Sequence, residues 1–159
     1  MSFAVFPDLV GENMEKSRSE KGYDFEPLSY AVIGACIDVQ RQLGLHCKEE
    51  DYQRALALAL TKHGLNYKRE SEIPVLYDGV EVTKRKVDFR IWNNHAELLL
   101  EAKARVALLP KDMEQSLLYL QRGEYRLILL VNFGEKPLCV RRFVNSPDRK
   151  IREMEEKYE

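Results

Sequence analysis

At 159 residues, 45% of them hydrophobic and 32% charged, the chain fits one globular domain that can bury a core without disulfide staples. Lys and Arg total 25 and Asp and Glu 26, so the net charge is -1, which excludes a strongly basic coat protein for nucleic acid but not a local basic cleft. Three widely spaced cysteines, Cys36, Cys47 and Cys139, contain no CxxC pair and argue against a disulfide framework or a zinc knuckle.

The N-terminus lacks the basic start and long apolar stretch of a signal peptide. The longest apolar run, Leu127 to Val131, is far short of the roughly 20 residues that span a bilayer. The expectation is a cytoplasmic protein with no membrane association. Residues 1–26 read as an arm with three basic and six acidic side chains; without it, residues 27–159 carry +2. It is expected to be a partly ordered tail. The other reading, a strand or helix packed on a partner subunit, leaves a homodimer open.

From Leu28 the spacing is helical: Leu28, Val32, Ala35, Cys36, Val39 and Leu43 recur every three or four residues, with Gly44 as C-cap. A second helix is predicted from about Lys48 to His63, with Tyr52, Ala55, Leu56, Ala59 and Leu60 as its apolar stripe. The period then becomes two. Ile73, Val75 and Tyr77 lead into Asp78-Gly79, a two-residue hairpin signal, and Val80 and Val82 begin the return strand, which continues through Val87 to Trp92. Asn93-Asn94 is a turn and Ala96 to Ala102 the next strand. Pro110 opens a third helix ending near Gly123. Leu127 to Asn132 and Cys139 to Val144 are strands, and Asp148 to Glu159 reads as a charged helical tail. Three antiparallel strands followed by a helical crossover to another strand give an α/β sandwich with a mixed sheet. The predicted organisation is an arm over 1–26, a domain over 27–146 and a charged tail over 147–159.

The strand over 96–102 carries the chemistry. Period-two geometry puts Glu101 and Lys103 on one face, about 7 Å apart, and antiparallel pairing can bring Asp88 beside Glu101. Two adjacent carboxylates repel unless a cation lies between them, and a hard divalent ion favours such oxygens. A lysine there can orient or deprotonate a water, or stabilise charge on a phosphate. Taken alone, the pattern is more simply an ion pair on a solvated face with Asp88 an unrelated acid. Two further pairs bear on it. Gln115 and Tyr119 share one face of the third helix, away from the Met113, Leu117 and Leu120 stripe, and Glu49 and Tyr52 are neighbours on the second.

In this order and spacing, Leu28 to about Val144 resembles the GxxExxY proteins of the PD-(D/E)XK nuclease superfamily. The resemblance runs through LSYAVIGACIDVQRQLG, Glu49-Glu50-Asp51-Tyr52, the IPVLYDGV hairpin, VDFRI with Asp88, LLLEAKA with Glu101 and Lys103, QSLLYL with Gln115 and Tyr119, and LLVNFG with Asn132. The signature glycine falls at His46, and the gap from Asp88 to Glu101 is longer than usual, which suggests an extended turn at Trp92-Asn93-Asn94-His95. The resemblance implies a restriction-endonuclease-like three-layer sandwich, a central mixed sheet flanked by helices, and metal-dependent phosphodiester hydrolysis. In that reading Asp88, Glu101 and the carbonyl of Ala102 hold Mg²⁺ or Mn²⁺ and Lys103 positions the water. Glu49 completes the acidic cluster, and Gln115 and Tyr119 hold water or phosphate. The implied partner is nucleic acid, DNA before RNA.

Between Lys84 and Arg126 nine basic residues face six acidic ones, a local excess that suits phosphate contacts. The competing readings are a non-catalytic nucleic-acid-binding or protein-interaction domain on the same fold, and a regulatory or assembly subunit acting through its arm and tail.

Overall fold

A computed structural model describes residues 27–122, 125–145 and 151–158, so the predicted arm over 1–26 lies outside the described residues. One six-stranded sheet runs in the order β1 (Asn66–Tyr77), β2 (Val80–Trp92), β3 (Glu97–Lys103), β4 (Leu127–Asn132), β5 (Leu138–Asn145), β6 (Ile151–Tyr158). Neighbours are antiparallel except β3 and β4, which are parallel and joined through α3 (Pro110–Arg122). That is the predicted meander and crossover. A parallel neighbour needs a crossover connection of a dozen or more residues, and the third helix supplies it.

The layers follow from the two apolar faces of β3. Leu98, Leu100 and Ala102 face the core shared with α1 (Pro27–Leu43) and α2 (Glu49–Lys62), while Leu99 faces the smaller core under α3. From α1, Leu28, Val32, Ala35, Cys36 and Val39 are buried, and from α2, Tyr52, Leu56 and Leu60. The observed architecture is the predicted α/β three-layer sandwich with a mixed sheet. No helix among the described residues is long and apolar enough to cross a membrane.

Two elements differ from expectation. β1 begins at Asn66, well before Ile73. Its first half, NYKRESE, shows no apolar alternation because its inward positions are Tyr67, Arg69 and Ser71. The predicted helical tail is instead a strand: Ile151–Tyr158 pairs with β5 along its whole length. Ile151, Met154 and Tyr158 are spaced as on a helix, yet cross-strand charge decides the outcome. Arg141 meets Glu153 at 2.7 Å and Glu155 at 2.6 Å, and the fully buried Arg142 meets Glu156 at 3.3 Å. The sheet therefore extends past residue 146.

Candidate active site

The site forms where β2 and β3 part. Their backbone ladder ends at the Phe89–Leu100 pair. The next residues across from each other are Asp88 and Glu101, and side chains take over from the backbone. The Asp88 N–H donates to Glu101 Oε1 at 3.1 Å, and the Ala102 N–H donates to Asp88 Oδ2 at 2.8 Å. The ladder on the other side of β2 also skips this position: Arg69 pairs with Phe89 and Ser71 with Val87, but Glu70, at φ 48°, does not pair with Asp88. A non-glycine residue in the left-handed region marks local strain. Here it coincides with a change of face, since Phe89 lies in the α1–α2 core and Val87, two residues away, in the α3 core. Asp88 thus sits at the twist where the hairpin swings from one layer to the other.

Glu101 is only 3% exposed. Burial first, and then the neighbouring Asp88 charge, push its carboxyl well above the usual carboxylate range. Asp88 is also raised by burial, against the opposing pull of the Ala102 N–H, the hydrogen bond with Glu101 and the Lys103 charge. Holding both charges in the buried fork is costly. A hard divalent cation would offset that cost, and the donors, two carboxylates with the Ala102 carbonyl next along the chain, are oxygens of the kind it favours. Among the described residues no cluster of three or more His, Cys, Asp or Glu stands ready to hold a metal. A cation here would complete its shell with water, as Mg²⁺ commonly does.

Lys103, on the same face of β3 as Glu101, is nearly buried and its Nζ lies 4.0 Å from Asp112 Oδ1. Glu49, first residue of α2, is half-buried; burial raises its pKa, with Lys103 and Arg105 opposing and the Asp88 and Asp112 charges adding. Asp51 caps this helix by accepting from the Lys48 N–H at 2.9 Å. The other motif residue, Tyr52, is structural. Its hydroxyl donates to the Gly44 carbonyl at 2.5 Å and its ring stacks on Phe133 at 4.9 Å. Gly44 itself is at φ 74°, the left-handed C-cap predicted from sequence. The α1–α2 loop is thus pinned by Tyr52 with His46 in the signature position.

Gln115 and Tyr119 meet on α3, Gln115 Nε2 donating to the Tyr119 hydroxyl at 3.1 Å. The expectation that this pair avoids the core face holds for Gln115 alone. The Tyr119 ring is 1% exposed and belongs to the α3 core, while its hydroxyl donates to the Lys86 carbonyl at 3.0 Å. A tyrosine can do both, with an apolar body and a polar tip. Burial, then the Glu101 charge, push its pKa up to about 12.

Sequence reasoning missed Asp112. It is 3% exposed and collects three groups: the Leu109 N–H at 2.9 Å, Arg105 Nε at 3.0 Å and the Lys103 ammonium. Its signal was present as an acid two residues after Pro110, where the third helical residue reaches back to cap the helix start. Asn132 holds the loop that follows Lys103, accepting from the Arg105 N–H and donating to the Arg105 carbonyl, both at 2.9 Å. The same loop lies so close to Gly134 that an added Cβ would sit 2.2 Å from the Arg105 carbonyl oxygen, so glycine is required there. Beside these residues opens a cleft of about 610 Å³, whose lining includes Arg85, Lys103, Arg105 and Lys111 against Asp112 and Glu114.

The sequence profile of the PD-(D/E)XK nuclease superfamily matches residues 26–143, which cover the fork, the cleft and both flanking layers. The chain belongs to that superfamily, whose nucleases typically use divalent metal ions. No curated protein and no solved structure matches the chain.

Proposed function

We propose that the protein is a metal-dependent nuclease of the GxxExxY type that hydrolyses phosphodiester bonds of DNA. The observation that carries this reading is the crossed pair at the fork, where Asp88 and Glu101 each accept an N–H from the opposite strand and face one another. Asp88, Glu101 and the Ala102 carbonyl hold Mg²⁺ or Mn²⁺, which when bound polarises the scissile phosphate. Lys103 orients the attacking water and offsets the charge that develops on the phosphate. Asp112 anchors the lysine from behind. Gln115 offers its amide to a phosphate oxygen, and Tyr119 holds that amide through its hydroxyl. Glu49, whose carboxyl feels the Lys103 and Asp88 charges, accepts a hydrogen bond from the water. Arg85, Arg105 and Lys111 bind the flanking phosphates. The reading includes a cytoplasmic setting, in keeping with three free cysteines.

The test is incubation with linear, circular and single-stranded DNA and with RNA, in Mg²⁺, Mn²⁺ or EDTA, followed by electrophoresis. Metal-dependent loss of DNA that disappears in Asp88→Asn supports the proposal. Intact substrates in every condition, together with no Mn²⁺ binding by calorimetry, would establish a non-catalytic domain instead.

A further inference from the structure

The tip of the β1–β2 hairpin is exposed beyond Val75, the last buried residue of β1. Every β2 residue from Val80 to Lys86 is exposed. At its tip Tyr77, Val80 and Val82 are 65%, 64% and 61% exposed. Apolar side chains bunched on a protruding element mark a binding surface more often than isolated exposed ones do. The turn between the strands has φ 49° at Asp78 and 77° at Gly79. Two consecutive positive φ values give the tight turn whose twist matches the strands, and pairing runs to Tyr77–Val80 with one register irregularity between Val75 and Leu76.

Behind the tip come Lys84, Arg85 and Lys86. Arg85 lines the cleft beside Lys103 and Arg105. Lys84 and Lys86 lie on the opposite face of the ribbon by strand alternation. The Lys84–Glu72 pair, at 3.8 Å with both side chains more than half exposed, neutralises little. The basic run is therefore continuous with the cleft, and the apolar tip lies beyond it.

We propose that this hairpin enters the major groove of double-stranded DNA beside the bond to be cut. Tyr77, Val80 and Val82 pack on base edges such as thymine methyls, and Lys84 and Lys86 meet the phosphate rims. The inference deepens the nuclease reading and rests on it for the position of the cut. Groove dimensions select the partner. The B-form major groove, about 12 Å wide, admits a two-stranded ribbon, whereas the narrow major groove of A-form RNA does not. Val80 is eight residues from Asp88 along β2, at most about 26 Å at the rise of an extended strand, since one residue of this stretch is extra in the register. Laid along the duplex axis that is at most about 8 base pairs at 3.4 Å each. The substrate is then duplex DNA extending up to about 8 base pairs to one side of the cut.

The experiment uses the full chain and a fluorescent DNA duplex, its single strand and the RNA duplex of the same sequence, with affinities measured in EDTA and in Ca²⁺ over a salt series. The wild type is expected to bind the DNA duplex roughly 10-fold or more tighter than the other two. Lys84→Ala with Lys86→Ala should weaken duplex binding roughly 10-fold and flatten the salt slope by about 2. Tyr77→Ser with Val80→Ser should weaken it with the slope unchanged. A photo-reactive side chain at Val80 should cross-link DNA to one side of the cut and within about 8 base pairs of it, a readout that does not depend on destabilising substitutions. Unchanged affinity in both double variants overturns the proposal. So does equal binding of RNA duplex, no duplex binding by the wild type, or cross-linking of Val80 to a second copy of the chain, which would make the hairpin a self-association arm. The nuclease reading fails separately, when duplex binds through the hairpin yet nothing is cut in Mg²⁺ or Mn²⁺.

Discussion

Replacing Glu101 by glutamine should stabilise the metal-free protein, and by an amount that depends on pH. The wild-type carboxyl is 3% exposed, accepts the Asp88 N–H at 3.1 Å and is held above its ordinary pKa by burial and the Asp88 charge. Glutamine keeps an oxygen for the Asp88 N–H and presents an amide donor to the Asp88 carboxylate, as the protonated acid does, but it cannot ionise. The sign follows from proton counts. Unfolded, Glu101 loses its proton near pH 4.3; folded, it keeps the proton to higher pH. Wild-type stability from this group is fully present below the unfolded pKa and is lost as pH rises towards the folded pKa. Each pH unit in that window costs about 1.4 kcal/mol for a fully isolated group. Water entering the open side of the fork reduces this, so the expected gain of Glu101→Gln is on the order of 1–3 kcal/mol at pH 8 and close to zero at pH 4. For a chain of this length that is a rise in Tm of roughly 3–10 °C at pH 8. The assay is thermal and urea unfolding in EDTA across that pH range. If the variant is less stable, and more so at pH 8 than at pH 4, the charge on Glu101 is a needed partner of Lys103 and the strained-pair argument is wrong.

Four further outcomes follow from the same geometry. Asp88→Asn and Glu101→Gln should each abolish Mn²⁺ binding in calorimetry while the circular dichroism of the fold is kept; unchanged binding in both puts the metal elsewhere. Lys103→Ala should slow single-turnover cleavage by roughly two to three orders of magnitude, the scale of one lost transition-state donor, with little change in DNA binding measured in Ca²⁺; parallel loss of binding and rate would make it only a substrate-holding residue. Tyr52→Phe removes the donor to the Gly44 carbonyl and should cost about 1 kcal/mol in urea unfolding. Glu156→Ala removes one charged contact from the buried Arg142 and should cost on the order of 1–3 kcal/mol, whereas a loss within about 0.5 kcal/mol would show that this contact contributes little to holding β6.

The sequence by itself determined the layers and the juxtaposition of Asp88 with Glu101. The helical stripes of α1 and α2, the Asp78-Gly79 turn and the unbroken apolar run of β4 are local signals, set by periodicity and turn chemistry, and each stands where expected. Asp88, Glu101 and Lys103 were legible because they lie on adjacent strands of one meander, where alternation puts Glu101 and Lys103 on one face and antiparallel pairing sets Asp88 opposite Glu101. What only the tertiary structure decided depends on partners distant in sequence. The polar first half of β1 is a strand because β2 offers it a ladder, and Ile151–Tyr158 is a strand because Arg141 and Arg142 on β5 wait for its glutamates. Helical spacing of Ile151, Met154 and Tyr158 is worth a few tenths of a kcal/mol per neighbouring pair. A continuous ladder with a buried arginine outweighs it. Asp112 became the anchor of Lys103 and Arg105 only when α3 folded back across the sheet. Asp88 acquired its twist from a residue 18 positions earlier, Glu70, whose role no local pattern announces.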